Sequence, residues 1–341
     1  MPSRIEDYAV IGDCHTVALV GKDGSIDWLC LPRFDSGACF AALLGTPEHG
    51  RWLLAPDELI KRVTRRYRPG TLVLETEFET VAGGAVTLVD FMTPRGDSAD
   101  VVRIVVGTRG SVRMKTELTI RFDYGWVVPW VRRVGNGHGT ADAGGAHVLR
   151  ATAGPDTLYF TSAVPVHGED MMTVGTFTVA EGQRVPFDLS WHPTHLPEPK
   201  PQDAGRALSD TMEFWEEWSA RCTYDGPYRD AVCRSLITLK ALTYAPTGGI
   251  CAAATTSLPE HVGGVRNWDY RFCWLRDATF TLHALVSGGY TDEAAAWRQW
   301  LVNAVAGDPA GMQIMYGLAG ERRLTELQLP WLPGYEGSRP V

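Results

Sequence analysis

A β-sandwich followed by an array of helices is the fold class this sequence predicts, and three observations predict it. Up to about residue 200 the apolar runs are short, partly alternating and broken by Gly and Pro, as many short strands with close turns would be. Residues 193–201 then hold four prolines in nine positions, which is neither helix nor central strand but a linker or extended crossing segment. Beyond them the apolar residues recur at helical spacing.

Taken in order, residues 71–80 alternate as a half-buried strand does, and Gly83-Gly84 supplies the hairpin turn into a second strand over 85–91. Residues 101–107, 114–122, 158–163 and 185–191 read the same way. The basic run over 61–66 is short and reads as a solvated strand or loop edge. After the linker, a helix over 207–221 carries Met212, Trp215 and Trp218 at spacings of three. A second over 230–244 sets Val232, Leu236, Leu239 and Leu242 on one stripe. A third runs over 277–287 and ends at Gly288-Gly289. Thr291 caps a fourth, with Asp292 and Glu293 in its positive first turn, extending to about residue 306.

The totals exclude several classes of function. With 341 residues the chain is too long for one core and should form two domains. A net charge of −8 with no basic stripe argues against nucleic acid. No apolar run reaches membrane-spanning length and the N-terminus has no signal core, so the cytoplasm is the expected compartment. Seven cysteines without a CxxC spacing indicate buried free thiols rather than a metal site or a disulfide framework. No cofactor is expected. The chain has 12 tryptophans; most should pack in cores, leaving the rest for carbohydrate stacking.

The candidate site is the run over 267–277. It sets Asp269 and Asp277, Arg271 and Arg276, and the rings of Trp268, Tyr270 and Trp274 within eleven residues, at the start of a helix. Ring faces stack on the apolar side of a pyranose, while a guanidinium fork and a two-oxygen carboxylate read adjacent hydroxyls. Against this stands a plain structural reading, with the aromatics in a core and Arg276–Asp277 as a local ion pair in which Asp277 caps the helix. Asp269 and Trp268 are balanced between the two. His15 and His192 read as satisfied structural histidines. Trp28, Arg33 and Asp35 form a polar-aromatic cluster suited to a domain interface.

Asp269-Tyr270 followed by Trp274, Leu275, Arg276 and Asp277 resembles the substrate-binding signature of glycoside hydrolase family 15, which holds glucoamylases, glucodextranases and a bacterial trehalase branch. Residues 5–13 and 24–36 look like the N-terminal part of its bacterial, trehalase-like members, and residues 334–341 like the start of a third family segment. The resemblance implies a β-super-sandwich (1–200), a linker with a helix (201–226) and an (α/α)6 barrel that is only partial in this chain (227–341). It implies inverting hydrolysis of an α-glucoside such as trehalose, with one carboxylic acid protonating the leaving oxygen and a second carboxylate activating water. By the same resemblance Tyr270, Trp274, Arg276, Asp277 and Arg339 bind substrate, and Glu336 is not a catalytic position.

Neither catalytic carboxylate segment of that family is found here, so the general acid and base are expected beyond Val341. Twelve helices of about 10–14 residues with short connections need roughly 150–260 residues. Pro227 to Val341 gives 115, room for about four to six helices. An open array leaves apolar faces in want of cover, so self-association is expected. Two other readings stay open: a disaccharide phosphorylase of the same architecture, in which phosphate replaces the activated water, and a non-catalytic sugar-binding or assembly module.

Overall fold

In the computed structural model, residues 2–134, 146–200, 202–307 and 309–341 are described. An N-terminal β-rich part is followed by a smaller helical part, in the predicted order. Pro201, the last residue of the proline-rich linker, lies outside the described residues.

The β part is two eight-stranded antiparallel sheets. The first runs Tyr8–Gly12, Val17–Gly21, Ser25–Cys30, Arg51–Pro56, Ser111–Thr119, Met172–Ala180 and His167–Glu169, with Ala38–Phe40 paired beside Ser25–Cys30. The second runs Trp130–Val134, His147–Ala153, Asp156–Ser162, Arg184–Pro193, Ala99–Arg109, Ala85–Met92, Leu74–Thr80 and Ile60–Tyr67. The basic run therefore lies on an edge strand, where charge blunts unwanted pairing. Between the sheets, Ile26, Trp52, Leu54 and Met114 meet Phe78, Leu88, Val105, Phe160 and Leu189 in one core. The predicted hairpin pairs Phe78 with Val86 and Glu79 with Ala85.

Period-two alternation gives the second sheet two different faces. Its outer face presents Val73, Val89, Phe91, Val102 and Ile104 to Ala207, Leu208 and Met212 of helix α1 (Ala204–Ser219). Asp203 starts that helix three residues earlier than expected, its side chain accepting from the Arg206 amide at 2.7 Å. The polar end of the same face holds Asp100, Asp188, Ser190 and His192, and Asp100 and His192 line a cavity of about 780 Å³ beside the proline-rich segment. His192 is buried as a structural histidine should be, but among the described residues its Nδ1 has no hydrogen-bond partner.

Burial, with the charge of Asp100 added, pushes the Asp188 carboxyl up to about 7. An unfolded aspartate titrates near 4, so between about pH 4 and 7 the folded state holds the extra proton and stability falls as pH rises. Asp188→Asn is therefore expected to raise the melting temperature by a few degrees at about pH 8, with the gain closing near pH 4. Thermal melts at the two pH values check this; equal shifts at both would show that the charge is not the cause.

The helical part holds α2 (Arg229–Ala241), α3 (Leu275–Ser287) and α4 (Thr291–Ala304). Among the described residues, 227–341 therefore contain three α-helices, fewer than the four to six expected. The difference lies in 245–272 and 305–341, where Pro246, Gly248, Pro259, Gly263, Gly317, Gly320, Pro330 and Pro333 break helical runs. Trp215 and Trp218 of α1 pack with Leu236 and Ile237 of α2 and Leu285 of α3. Glu293, in the first turn of α4, accepts from Trp218 Nε1 at 2.7 Å, Lys240 Nζ at 3.0 Å and Arg221 Nη2 at 3.2 Å. Burial raises its carboxyl, but the Trp218 and Lys240 donors outweigh burial and hold it below the ordinary value. Phe280, Val286 and Val302 stand exposed on α3 and α4.

The predicted cluster near residue 30 does join the two parts. Trp28 Nε1 donates to the Ala254 carbonyl at 2.8 Å, and Arg33 pairs with Asp35 at 2.8 Å and Glu321 at 3.1 Å over the Tyr244 ring. His15 packs edge-on to Tyr244, and burial followed by the Arg95 charge lowers its pKa. Of the seven free cysteines, six are buried. Among the described residues no helix is long and apolar enough to cross a membrane.

Candidate functional site

The run over 267–277 crosses from loop to helix and is braced on both sides. The Ala252, Ala253 and Ser257 amides donate to the carbonyls of Phe272, Tyr270 and Trp268 at 2.8–3.0 Å. Cys273 and Trp274 pair with Tyr316 and Met315, and the Leu275 amide donates to Ile314 O at 3.1 Å. This bracing fixes the backbone just where the side chains change from buried to accessible.

Four of the five predicted binding residues come together. Tyr270 and Trp274 face each other with ring centroids 5.5 Å apart and planes tilted by 35°. The Arg276 guanidinium sits 5.8 Å from the Trp274 ring. Its Nε and Nη2 donate to Asp277 Oδ2 and Oδ1 at 3.2 and 3.4 Å. Asp277 is not the helix cap: α3 begins at Leu275 with Trp274 in the cap position, and Asp277 lies in the first turn. An aspartate there still meets the positive end of the helix, and its carboxylate can accept from a ligand as well as from Arg276.

Arg339 is exposed, and its segment reaches the start of the run. Ser338 Oγ accepts from the Gly263 amide at 2.8 Å, and the Pro340 carbonyl accepts from Asn267 Nδ2 at 3.0 Å. Among the described residues no hydrogen bond or ion pair joins Arg339 to Tyr270, Trp274, Arg276 or Asp277. Glu336 is exposed in a short 3-10 turn with a left-handed φ of 47°.

The two guanidiniums of the run behave differently, which composition does not reveal. Arg271 is 4% exposed and turns toward the sheets, with Nε and Nη2 on the Asp269 carboxylate at 3.0 and 2.7 Å. Asp269 is thereby committed to an ion pair, and its backbone carbonyl accepts from Trp274 Nε1 at 3.3 Å. Trp268 is half exposed and donates to Glu260 Oε1 at 3.1 Å. Among the described residues, no group of three or more His, Cys, Asp or Glu side chains is placed to hold a metal ion.

The chain is similar to known proteins over nearly its whole length. Residues 226–341 match the model of glycosyl hydrolases family 15, and residues 1–153 match a trehalase-like N-terminal model. The chain is similar to a trehalase of Mycolicibacterium smegmatis, 34% identical over 362 aligned positions covering 99% of this chain and 53% of that protein. It is similar also to a trehalase of Mycobacterium tuberculosis, 35% identical over 364 positions covering 99% and 52%. The chain thus spans about half the length of the curated relatives it matches. Among solved structures, a putative kojibiose phosphorylase from human microbiome covers 87% of this chain and 46% of its own at 8% identity and a TM-score of 0.39, too loose a likeness to argue from.

Proposed function

Given that the chain belongs to glycoside hydrolase family 15, we propose that residues 270–277 form the glucose-holding wall of an inverting α-glucosidase site, with trehalose as substrate. The observation that carries this reading is the Tyr270–Trp274 ring pair set beside an accessible Arg276–Asp277 pair on the first turn of α3. The rings offer the apolar surface that one face of a pyranose needs. Arg276 donates to, and Asp277 accepts from, adjacent hydroxyls. Arg339, on the segment that Ser338 and Pro340 tie to the start of the run, is the fifth residue assigned to binding in this reading. Trehalose is preferred over a longer glucan because the N-terminal match and both cited relatives are trehalase-like.

In the same reading residues 1–200 are a super-sandwich domain, 201–226 a linker with a helix, and 227–341 part of an (α/α)6 barrel. Both carboxylates of the run are engaged by guanidiniums, Asp269 by Arg271 and Asp277 by Arg276. Inverting cleavage needs one carboxyl free to give a proton and another free to activate water. Residues 1–341 are therefore expected to bind trehalose without hydrolysing it.

Titration calorimetry of residues 1–341 with trehalose and maltose, alongside a glucose-release assay, tests this. The expected result is trehalose binding that disappears in the Arg276→Ala, Asp277→Ala double variant, with no glucose released. Binding that survives the double variant would move the sugar site elsewhere, and turnover at a purified enzyme's rate would assign catalysis to this chain.

A further inference from the structure

The geometry points to Arg271 as a positioning residue through which the β-sandwich sets the affinity of the sugar site; the inference rests on the reading of residues 270–277 given above. Arg271 stands next to Tyr270 in sequence, yet its side chain serves the opposite direction. Two of its nitrogens hold both oxygens of Asp269. The third, Nη1, donates to the Ser36 carbonyl at 2.9 Å and lies 3.5 Å from Cys30 Sγ. The guanidinium carbon is 5.3 Å from the Tyr124 ring and 6.0 Å from the Trp28 ring. Cys30, Ser36, Trp28 and Tyr124 all belong to the β part, and Arg271 is separated from Ser36 by 235 positions in sequence.

The chain of contacts continues to the site itself. Asp269 receives the Arg271 fork, accepts from the Arg271 amide at 3.0 Å, and passes its own carbonyl to Trp274 Nε1. The Trp274 ring in turn faces Tyr270 and supports Arg276. A shift of the sandwich loop at Ser36 or Tyr124 is therefore felt at the indole that stacks on sugar, although neither residue belongs to the ring pair or to the Arg276–Asp277 pair. A planar five-donor fork that meets a carboxylate and a carbonyl at once fixes orientation as an ammonium does not. Productive geometry is sensitive to displacements of about 1 Å, so such a brace matters for function beyond its share of stability.

Arg271→Lys keeps the charge and removes the fork; Tyr124→Leu removes one aromatic wall from the β side and leaves residues 267–277 intact. Each variant is compared with the wild-type chain by trehalose calorimetry and by amide hydrogen exchange over 268–275, with the core strand Ala99–Arg109 as internal control. Both variants are expected to exchange faster over 268–275 with the control strand unchanged. Trehalose affinity should fall about 10- to 100-fold in Arg271→Lys and by less in Tyr124→Leu. Wild-type affinity and wild-type protection over 268–275 in both would overturn the assignment. If Arg271→Lys does not fold, Tyr124→Leu alone decides on the same two readouts. If the wild-type chain binds no trehalose, the proposed function fails, while unchanged exchange over 268–275 would separately reject the brace.

Discussion

Arg103→Leu is expected to be among the most damaging single substitutions in the β-sandwich, lowering the unfolding free energy by about 3–5 kcal/mol. Arg103 and Asp90 sit opposite each other on the paired strands Ala99–Arg109 and Ala85–Met92, and both side chains are fully buried between the sheets. The guanidinium donates to Asp90 at 2.8 and 3.3 Å. It also donates to the Trp52 carbonyl at 2.8 Å and the Gly24 carbonyl at 2.7 Å, and lies 5.0 Å from the Trp52 ring. One fully buried side chain therefore joins the two sheets and donates to three acceptors. Removing it strands a carboxylate and takes one donor from each of two carbonyls, of which Gly24 O keeps the Leu54 amide at 3.2 Å.

Burial already raises the Asp90 carboxyl, with Arg103 pulling it back. Without Arg103 that carboxyl rises further above its unfolded value, so the variant should lose more stability as pH increases and recover some as Asp90 protonates. The double variant Arg103→Leu, Asp90→Leu should be more stable than Arg103→Leu alone, because no charge is left buried, though the Trp52 and Gly24 carbonyls each still miss the guanidinium donor. Urea melts of the three proteins measure this. A double variant no more stable than the single one would show that the stranded carboxylate is not the main cost.

The same physics explains how much of the fold is legible in sequence. Leu74–Thr80 alternates buried and half-buried residues, and with Gly83-Gly84 after it the hairpin declares itself. Val17–Gly21 and Ser25–Cys30 are buried at every position; the first has no alternation, and the second alternates over only its first four residues, too short a run to read as a strand. The start of α1 was legible in principle from Asp203, a preferred capping residue just before the periodic run. At the site, residue types were legible and directions were not. Arg271 and Arg276 have the same chemistry five positions apart; contacts with Trp28, Cys30, Ser36 and Tyr124, more than a hundred residues away, turn one inward and leave the other accessible.

Asp277→Ala should separate binding from folding more cleanly than any other change at the site. Its side chain is 32% exposed and its partner Arg276 is 65% exposed, so their mutual attraction is largely screened by solvent. Such pairs contribute about 0–1 kcal/mol, and an acidic residue in a helix's first turn adds about 0.3–1 kcal/mol. The variant should therefore melt within a few degrees of wild type. A hydrogen bond from a sugar hydroxyl to a carboxylate is worth about 1.5–3 kcal/mol, so trehalose affinity should fall by roughly 10- to 100-fold. Asp277→Asn keeps one acceptor oxygen and loses the charge, which places it between alanine and wild type in affinity while leaving the melting temperature near that of alanine. If Asp277 served only the helix, the pattern would invert. Both variants would lose melting temperature, and both would bind trehalose as wild type does.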